Sequence, residues 1–296
     1  MNVTVVNSFA GGFDRIHQFF LESIINQFAT QYSLRFGDGI DIPVKVCFMI
    51  KFESSLGRYI YLMTTSSPQA KIEAIFNRIA PVYDELNDRL SFGQHRIWKA
   101  MAVKWSEAKV GDNALDVCCG SGDLALLLAK KVGSTGKVTG IDFSCQLLNI
   151  ARSRQAIKCP NIAIEWLEGD ALALPFKDDR FDCATMGYGL RNVTNIPLCL
   201  QELRRVLKPK AKAAILDFHR PSAAYMQAFQ QWYLANIVVP TAEDLGMKEE
   251  YAYINPSIER FPTGKEQVKL AQAAGFADSI HYPLMGGMMG ILVLTK

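Results

Sequence analysis

The chain has 296 residues, 49% hydrophobic and 21% charged, with a formal net charge of +3 at neutral pH. That length allows one large domain with an extension, and a core of this size needs no disulfide or metal to stabilise it. Lys and Arg are scattered rather than striped, which argues against a nucleic-acid partner. Seven cysteines without a CxxC pair argue against a disulfide framework or a zinc site.

Residues 1–66 carry hydroxyl side chains and a few Arg, as an organelle-targeting peptide would. They also carry Asp14, Glu22, Asp38, Asp41 and Glu53, which such peptides avoid. The most apolar stretch, Ile40 to Met63, is broken by Asp41, Lys45, Lys51, Glu53 and Arg58, too often for a membrane span. This segment is therefore read as an N-terminal extension of unknown structure, with an atypical targeting peptide and a start other than the natural one as its two open readings. Met63-Thr-Thr-Ser-Ser-Pro68 marks a boundary of small polar residues, and residues 67–296 are expected to form one domain.

Ile72, Ile75, Phe76 and Ile79 open that domain at helical spacing, up to Pro81. Ile97–Trp105 is a second amphipathic stretch, leading to a Lys109-Val-Gly-Asp turn. Strands and helices then alternate. Ala114–Cys118 reads as a strand, Asp123–Val132 as a helix, Lys137–Ile141 as a strand and Ser144–Ile157 as a helix N-capped by Ser144. Ile162–Leu167 and Phe181–Met186 read as strands, Ile196–Leu207 as a helix stopped by Pro209, and Ala213–Phe218 as a strand. Such alternation implies βαβ units in a parallel sheet with helices on both faces and ligands at the strands' carboxyl ends.

The ending differs. Lys265–Ala274 is a helix closed by Gly275. Ser279–Pro283 and Gly290–Thr295 are strand-like, and Met285-Gly-Gly-Met-Met between them leaves no room for a crossover helix. They are expected to form a hairpin that puts one antiparallel strand into the sheet. The fold class is therefore α/β, a doubly wound, mostly parallel seven-stranded sheet of the class I methyltransferase kind.

The chemistry gathers at the strand ends. Gly120 and Gly122, with Ser121 between them, let a ligand approach the backbone after the first strand. Asp142 ends the next strand, twenty residues after Gly122, where a carboxylate can accept from a ribose diol. Alone this also fits a loose dinucleotide fingerprint. Three acids tip the reading toward S-adenosyl-L-methionine. Asp123 at the helix start would repel a pyrophosphate, Asp116 supplies an anion for an ammonium group, and Asp170 after the third strand can accept from an adenine amino group. Ala171 beside it and Gly187 after the fourth strand complete the expected cofactor set, and no metal is required.

Four blocks carry a resemblance: Tyr83-Asp-Glu-Leu-Asn-Asp-Arg-Leu-Ser-Phe-Gly-Gln-His95-Arg-Ile-Trp98, Cys118-Cys-Gly-Ser-Gly-Asp123, Met186-Gly-Tyr-Gly-Leu-Arg-Asn-Val193 and Arg205-Val-Leu-Lys-Pro209. Over roughly residues 71–296 the chain resembles the ubiquinone/menaquinone C-methyltransferases (UbiE/MenG family), most closely the plant and cyanobacterial branch acting on demethylphylloquinone. Leu86 stands where the family usually has Met. Lys210-Ala211 replaces a Gly-containing turn, at a cost of about 1 kcal/mol if φ is positive there. The first 66 residues have no counterpart in the family.

The resemblance implies methyl transfer from S-adenosyl-L-methionine to a ring carbon of a prenylated hydroquinone, in the chloroplast. The reduced ring is required because a quinone is a weak nucleophile. It also implies that Arg191 and Asn192 line the quinone pocket. Arg191 is expected to stabilise phenolate charge and, with Asn192 and Tyr83, to hold a proton-relaying water; the plainer alternative is an ion pair that fixes the loop. For His95, packing or a capping hydrogen bond is favoured over a role as base, and for Asp84 and Asp88 helix capping is favoured. Tyr225, Phe229, Trp232, Tyr233 and Ile237 in the 220–262 insertion form an aromatic helical face. Burial against the domain is favoured for it over membrane contact, with a pocket for the prenyl tail as a further role.

Overall fold

The computed structural model describes residues 46–54, 57–65, 68–80, 88–91 and 93–296, which divide into two units at Ser67/Pro68. In the first, Val46–Ser54 (β1) pairs antiparallel with Gly57–Thr65 (β2). Residues 1–45, with most of the candidate targeting segment, lie outside the described residues. Among the described residues no helix is long and apolar enough to cross a membrane.

The second unit is built on the alternation read from the sequence. Its helices begin with Pro68–Ile79 (α1) and His95–Trp105 (α2). Asn113–Val117 (β3), Asp123–Val132 (α3), Lys137–Asp142 (β4), Cys145–Lys158 (α4), Ile164–Glu168 (β5) and Phe181–Gly187 (β6) follow within two residues of expectation. Ser144 caps α4, its Oγ accepting from Leu147 N–H at 3.2 Å. Ile196–Val206 (α5) runs directly into Leu207–Phe218 (β7), which starts earlier than expected. Pro209 lies within that strand, where the β6–β7 ladder shifts register between Phe181/Leu207 and Cys183/Lys212, so a missing N–H is tolerated.

The sheet order is β5-β4-β3-β6-β7, with strands parallel, then two final strands, Met289–Thr295 (β9) and Asp278–Leu284 (β8). The expected hairpin forms, and β9 lies between β7 and β8, antiparallel to both. Alternate residues feed opposite cores, as a period of two requires. Leu115, Val117, Ala213 and Ile215 pack with Leu200 and Leu203 of α5. Ala114, Ala214 and Leu216 pack with Val103 of α2, Leu128 of α3 and Leu148 of α4.

Because β4 and β6 flank β3 on opposite sides, the chain leaves the carboxyl ends of β3 and β6 in opposite directions. A crevice opens between them, as at the switch point of other open α/β sheets. The insertion roofs it with Ala224–Tyr233 (α6), a π-turn over Leu234–Val238, Val239–Glu243 (α7), Lys248–Ala252 (α8) and Ile254–Arg260 (α9). Gly264–Ala273 (α10) then leads to β8, stopped by Gly275 at φ +91°. Roof residues Leu234, Val238, Tyr251 and Ile258 cluster with Ile79 of α1 as a third apolar core.

The aromatic face of the insertion is the clear departure. Tyr225, Trp232 and Phe229 are 75%, 53% and 45% exposed, so α6 does not bury this face against the domain. Tyr233 turns inward, its hydroxyl donating to Leu90 O at 2.7 Å, and Ile237 is half-buried. Periodicity aligned these rings correctly, but α6 packs through Gln230 and Tyr233 instead.

Candidate functional site

Two cavities meet in the crevice. The first is lined by Gly120, Asp142, Phe143, Leu147, Asp170, Ala171 and Gly187, with Ile72 and Phe76 of α1 above. The second is larger, about 1380 Å³ counted to its open mouth, and chiefly aliphatic and aromatic; Trp98, Phe218, Leu234 and Met289 are among its walls. Phe76, Tyr188 and Asn192 line both. A chamber that carries two strand-end carboxylates thus touches a larger, apolar one across three side chains.

The loop after β3 is shaped by its own geometry. Cys118 and Gly120 have φ near +53° and Gly122 has φ +87°. Gly120 lines the cavity and would carry a Cβ no nearer than 3.9 Å to its surroundings, so its open side belongs to the ligand space. Gly122 lines neither cavity. A Cβ there would lie 2.6 Å from the Trp166 ring, so this glycine serves helix–sheet packing rather than ligand approach. Ser121 is turned toward Arg154, whose Nη1 donates to its Oγ and carbonyl at 2.8 Å each, and it lines a small recess beneath the loop.

The three strand-end acids occupy different depths. Asp142 is buried and accepts from Gly120 N–H at 2.8 Å and Ser144 N–H at 2.9 Å, tying the loop to the α4 cap. Burial pushes its carboxyl up to about 6, against the pull of those N–H groups. Asp170 accepts from Leu172 N–H at 2.9 Å and faces the same cavity. Asp116 lies lower, in the recess with Gly120, Ser121 and Gly187. Its ladder partner Thr185 donates to Oδ1 at 2.8 Å, while Oδ2 is buried with no partner among the described residues. Burial pushes this carboxyl up to about 7. An orphaned carboxylate oxygen in the recess below the first cavity fits a cationic donor entering from above.

Asp123 plays another part than expected. It sits at the N-terminus of α3, but Lys99 Nζ is 2.5 Å away and Arg154 also pairs with it. Burial works against the anion, yet the two cations hold its carboxyl well below the usual range. With two positive partners for one carboxylate, this locus no longer repels a phosphate, so that argument against a dinucleotide falls away. The unpaired Asp116 oxygen remains.

At the end of β6, Tyr188 has φ +59°, which turns its ring into the junction of the cavities under Lys99 Nζ, 5.6 Å from the ring centre. Its carbonyl accepts from Arg191 Nη1 and Asn192 Nδ2, both at 2.9 Å. Arg191 faces the larger cavity and is partly engaged: Nη1 is 2.6 Å from Asp217 Oδ1 and its guanidinium stacks 4.9 Å from the Phe218 ring, while Nε is buried with no partner among the described residues. Asn192 Oδ1 is buried without a partner among the described residues. Tyr83 lies outside the described residues. Asp88 does not act as a simple cap; it pairs with His95 and Arg96. Sequence reasoning missed Tyr188 and Phe76. The Gly187-Tyr-Gly189 spacing is the signal that could have found the first, since glycines on both sides permit the turn.

Known proteins share this sequence and fold. A protein of Nostoc sp. named 2-phytyl-1,4-naphtoquinone methyltransferase is 65% identical over 226 residues, 76% of this chain and 99% of that protein. The Arabidopsis thaliana protein named 2-phytyl-1,4-beta-naphthoquinone methyltransferase, chloroplastic, is 54% identical over 75% of this chain and 86% of its own length. Among solved structures, a SAM-dependent methyltransferase of Thermotoga maritima, described as a possible histamine N-methyltransferase, superposes with TM-score 0.54 at 20% identity. It covers 76% of this chain and 99% of that one. A putative S-adenosyl-L-methionine-dependent methyltransferase of Methanococcus maripaludis gives 0.51 at 17%, covering 75% and 94%. These two are like this chain in fold. Residues 63–296 match the ubiE/COQ5 methyltransferase family, and the chain belongs to it.

Proposed function

We infer that this methyltransferase moves the methyl group of S-adenosyl-L-methionine to a ring carbon of a reduced, prenylated naphthoquinone, demethylphylloquinol. The observation that carries the reading is a cavity bearing the Asp142 and Asp170 carboxylates that meets a larger, apolar one at Phe76, Tyr188 and Asn192. When bound, the cofactor supplies an electrophilic methyl on a sulfonium that is already a good leaving group. The residues of this chain supply position. Asp142 and Asp170 offer acceptors to the nucleoside, Gly120 and Gly187 admit it, Ala171 packs beside it, and Asp116 takes the ammonium charge from the recess. The apolar chamber suits a tailed aromatic acceptor, whose ring lies against Tyr188. Asn192 Oδ1 is the acceptor for a quinol hydroxyl, and Arg191 holds the Tyr188–Asn192 loop in place through Asp217. Holding ring and methyl in line is the main task, because the methyl donor needs no further activation.

The naphthoquinol is favoured over a benzoquinol because relatives at 54–65% identity carry a 2-phytyl-naphthoquinone name. Purified protein given the cofactor and either reduced 2-phytyl-1,4-naphthoquinone or a reduced prenylated benzoquinone tests this by mass analysis. The naphthoquinol is expected to gain one methyl at the higher kcat/KM; preference for the benzoquinol refutes the assignment. A plastid location is supported by the chloroplastic plant relative alone, with residues 1–66 as the targeting extension. Import of a fusion of those residues into isolated chloroplasts checks it.

Peripheral membrane contact is supported by the exposed Tyr225, Phe229 and Trp232, since Phe229 also lines the mouth of the apolar cavity. Co-sedimentation with lipid vesicles should weaken in a Tyr225→Ser/Trp232→Ser variant. Equal binding by variant and parent sinks the membrane role.

A further inference from the structure

His95 enters the apolar cavity from the first turn of α2, between Gln94 and Trp98. Its ring is buried, and Nε2 lies 2.7 Å from Asp88 Oδ1. An ionised carboxylate only accepts, so the proton of the neutral imidazole sits on Nε2 and the lone pair on Nδ1. Nδ1 is buried with no partner among the described residues. Asp88 lines a polar groove on the far side of His95 and is not part of the apolar cavity. The imidazole therefore spans from an outer carboxylate to the inner chamber.

The carboxylate is itself held. Arg96 donates to both its oxygens, Nε to Oδ1 at 3.0 Å and Nη2 to Oδ2 at 2.5 Å. Base, orienting acid and clamp thus form a chain, in the order that acid–base sites use. One turn further along α2, Lys99 lies over Tyr188 at the wall shared by the two cavities. His95 and Tyr188 line the same chamber. Burial and the Lys99 charge disfavour a protonated ring, Asp88 and Asp123 favour it, and the net effect lowers its basicity. Arg191 faces the same chamber and is paired with Asp217. Burial thus favours the neutral imidazole that a proton acceptor must be.

We propose that His95, oriented by Asp88, is the general base that removes the quinol hydroxyl proton as the ring carbon attacks the methyl group. The proposal rests on the quinol reading above. The O–H bond breaks and its electron pair forms the ring carbonyl. A ring π pair forms the new carbon–carbon bond, and the methyl–sulfur pair leaves with the sulfur. The hydroxyl proton goes to Nδ1, giving an imidazolium beside Asp88. The proton on the methylated carbon is then lost to water, its C–H pair restoring the aromatic ring while the carbonyl π pair returns to oxygen, and that oxygen recovers its proton from the imidazolium, which resets His95.

The test compares wild type, His95→Gln and Asp88→Asn on reduced 2-phytyl-1,4-naphthoquinone, with imidazole ¹⁵N spectra as a second readout. His95→Gln is expected to lose about 10²–10⁴-fold in turnover and to bind S-adenosylhomocysteine as the wild type does. The wild-type rate should fall on an acid limb that Asp88→Asn moves to lower pH, because the carboxylate that supports the imidazolium is gone. The chain has four histidines, so the signal missing from His95→Gln identifies His95. That signal should show the proton on Nε2, and a prenylated 1-naphthol that cannot be methylated should shift Nδ1. Near-wild-type turnover in His95→Gln, an unmoved acid limb or an Nδ1 unresponsive to the naphthol overturns the proposal. If His95→Gln does not fold, the position of the acid limb in Asp88→Asn still decides it. A wild type that leaves the quinol unmethylated refutes the substrate reading instead.

Discussion

Replacing Arg191 by Ala separates a structural from a chemical role for this side chain. The guanidinium is paired with Asp217, and only 7% and 4% of the two side chains are exposed, so water screens the pair very little. Asp217 also accepts from the backbone N–H of Arg191 and of Phe218, at 3.0 and 2.8 Å, and these donors survive the substitution. What is lost is the countercharge, one of two donors to the Tyr188 carbonyl, and the contact on the Phe218 ring. Removing one member of a buried pair costs about 3–5 kcal/mol. For a domain of this size each kcal/mol is worth about 2–4 °C, so Tm should fall by about 6–20 °C. The double variant Arg191→Met/Asp217→Asn removes both charges and should recover part of that loss, the Asn oxygen accepting one of the two backbone N–H groups that the carboxylate held. Calorimetric melting measures both. Initial rates and S-adenosylhomocysteine titration are taken well below the lower midpoint. A loop-fixing role predicts that turnover returns with Tm in the double variant. A direct role on the phenolate predicts a folded, cofactor-binding but inactive protein. A single variant melting within about 2 °C of wild type refutes the buried-pair argument.

Lys210 adopts φ +68° with its N–H bonded to Lys296 O at 3.0 Å. Lys210→Gly relieves about 1–2 kcal/mol of left-handed strain, partly offset by the greater freedom of Gly in the unfolded chain. Tm should rise by a few degrees, and a fall shows that the turn is not strained. Gly122→Ala should act in the opposite sense, since the new Cβ meets a Trp166 ring pinned by its Nε1–H to Gln155 at 2.6 Å. A loss of about 2 kcal/mol or more with weakened cofactor binding is expected, and an unchanged melting curve counts against the packing role. Asp116 and Asp142 titrate in the folded protein at about 7 and 6, above their unfolded value of 3.8. The folded state keeps protons that the unfolded chain has lost, so their contribution to stability falls as pH rises from about 4 through 7. Cofactor binding runs the other way, because the ammonium needs the Asp116 anion: S-adenosylhomocysteine affinity should weaken by up to about tenfold per unit below pH 7. Calorimetric titration across pH 5–8 checks this, and Asp116→Asn should flatten the profile; a parallel profile in that variant removes Asp116 from the ammonium site.

Much of the fold was decided locally and could be read along the chain. The β3-to-α5 alternation depends on apolar spacing within a few residues. The Ser144 cap depends on a hydroxyl three residues before Leu147, and the terminal hairpin on a linker too short for a crossover. The acids at three successive strand ends were legible for the same reason: chain position and strand period fix where a side chain falls relative to its own strand. The strained Lys210 was legible as a turn lacking its glycine.

Tertiary structure decided what depends on partners distant in sequence. Asp123 is neutralised by Lys99 and Arg154, 24 and 31 residues away, which no local pattern announces. Gly122 answers to Trp166 on another strand, Arg191 to Asp217 at the end of β7, and His95 to a cavity whose roof comes from the insertion. The aromatic residues of α6 share one face by periodicity, but the packing of the whole insertion leaves that face in solvent. Local sequence determines which elements form and which way each side chain leaves its backbone. Ion pairs, burial and the meeting of two cavities at Tyr188 require elements far apart in the chain to be brought together, and only the sheet order does that.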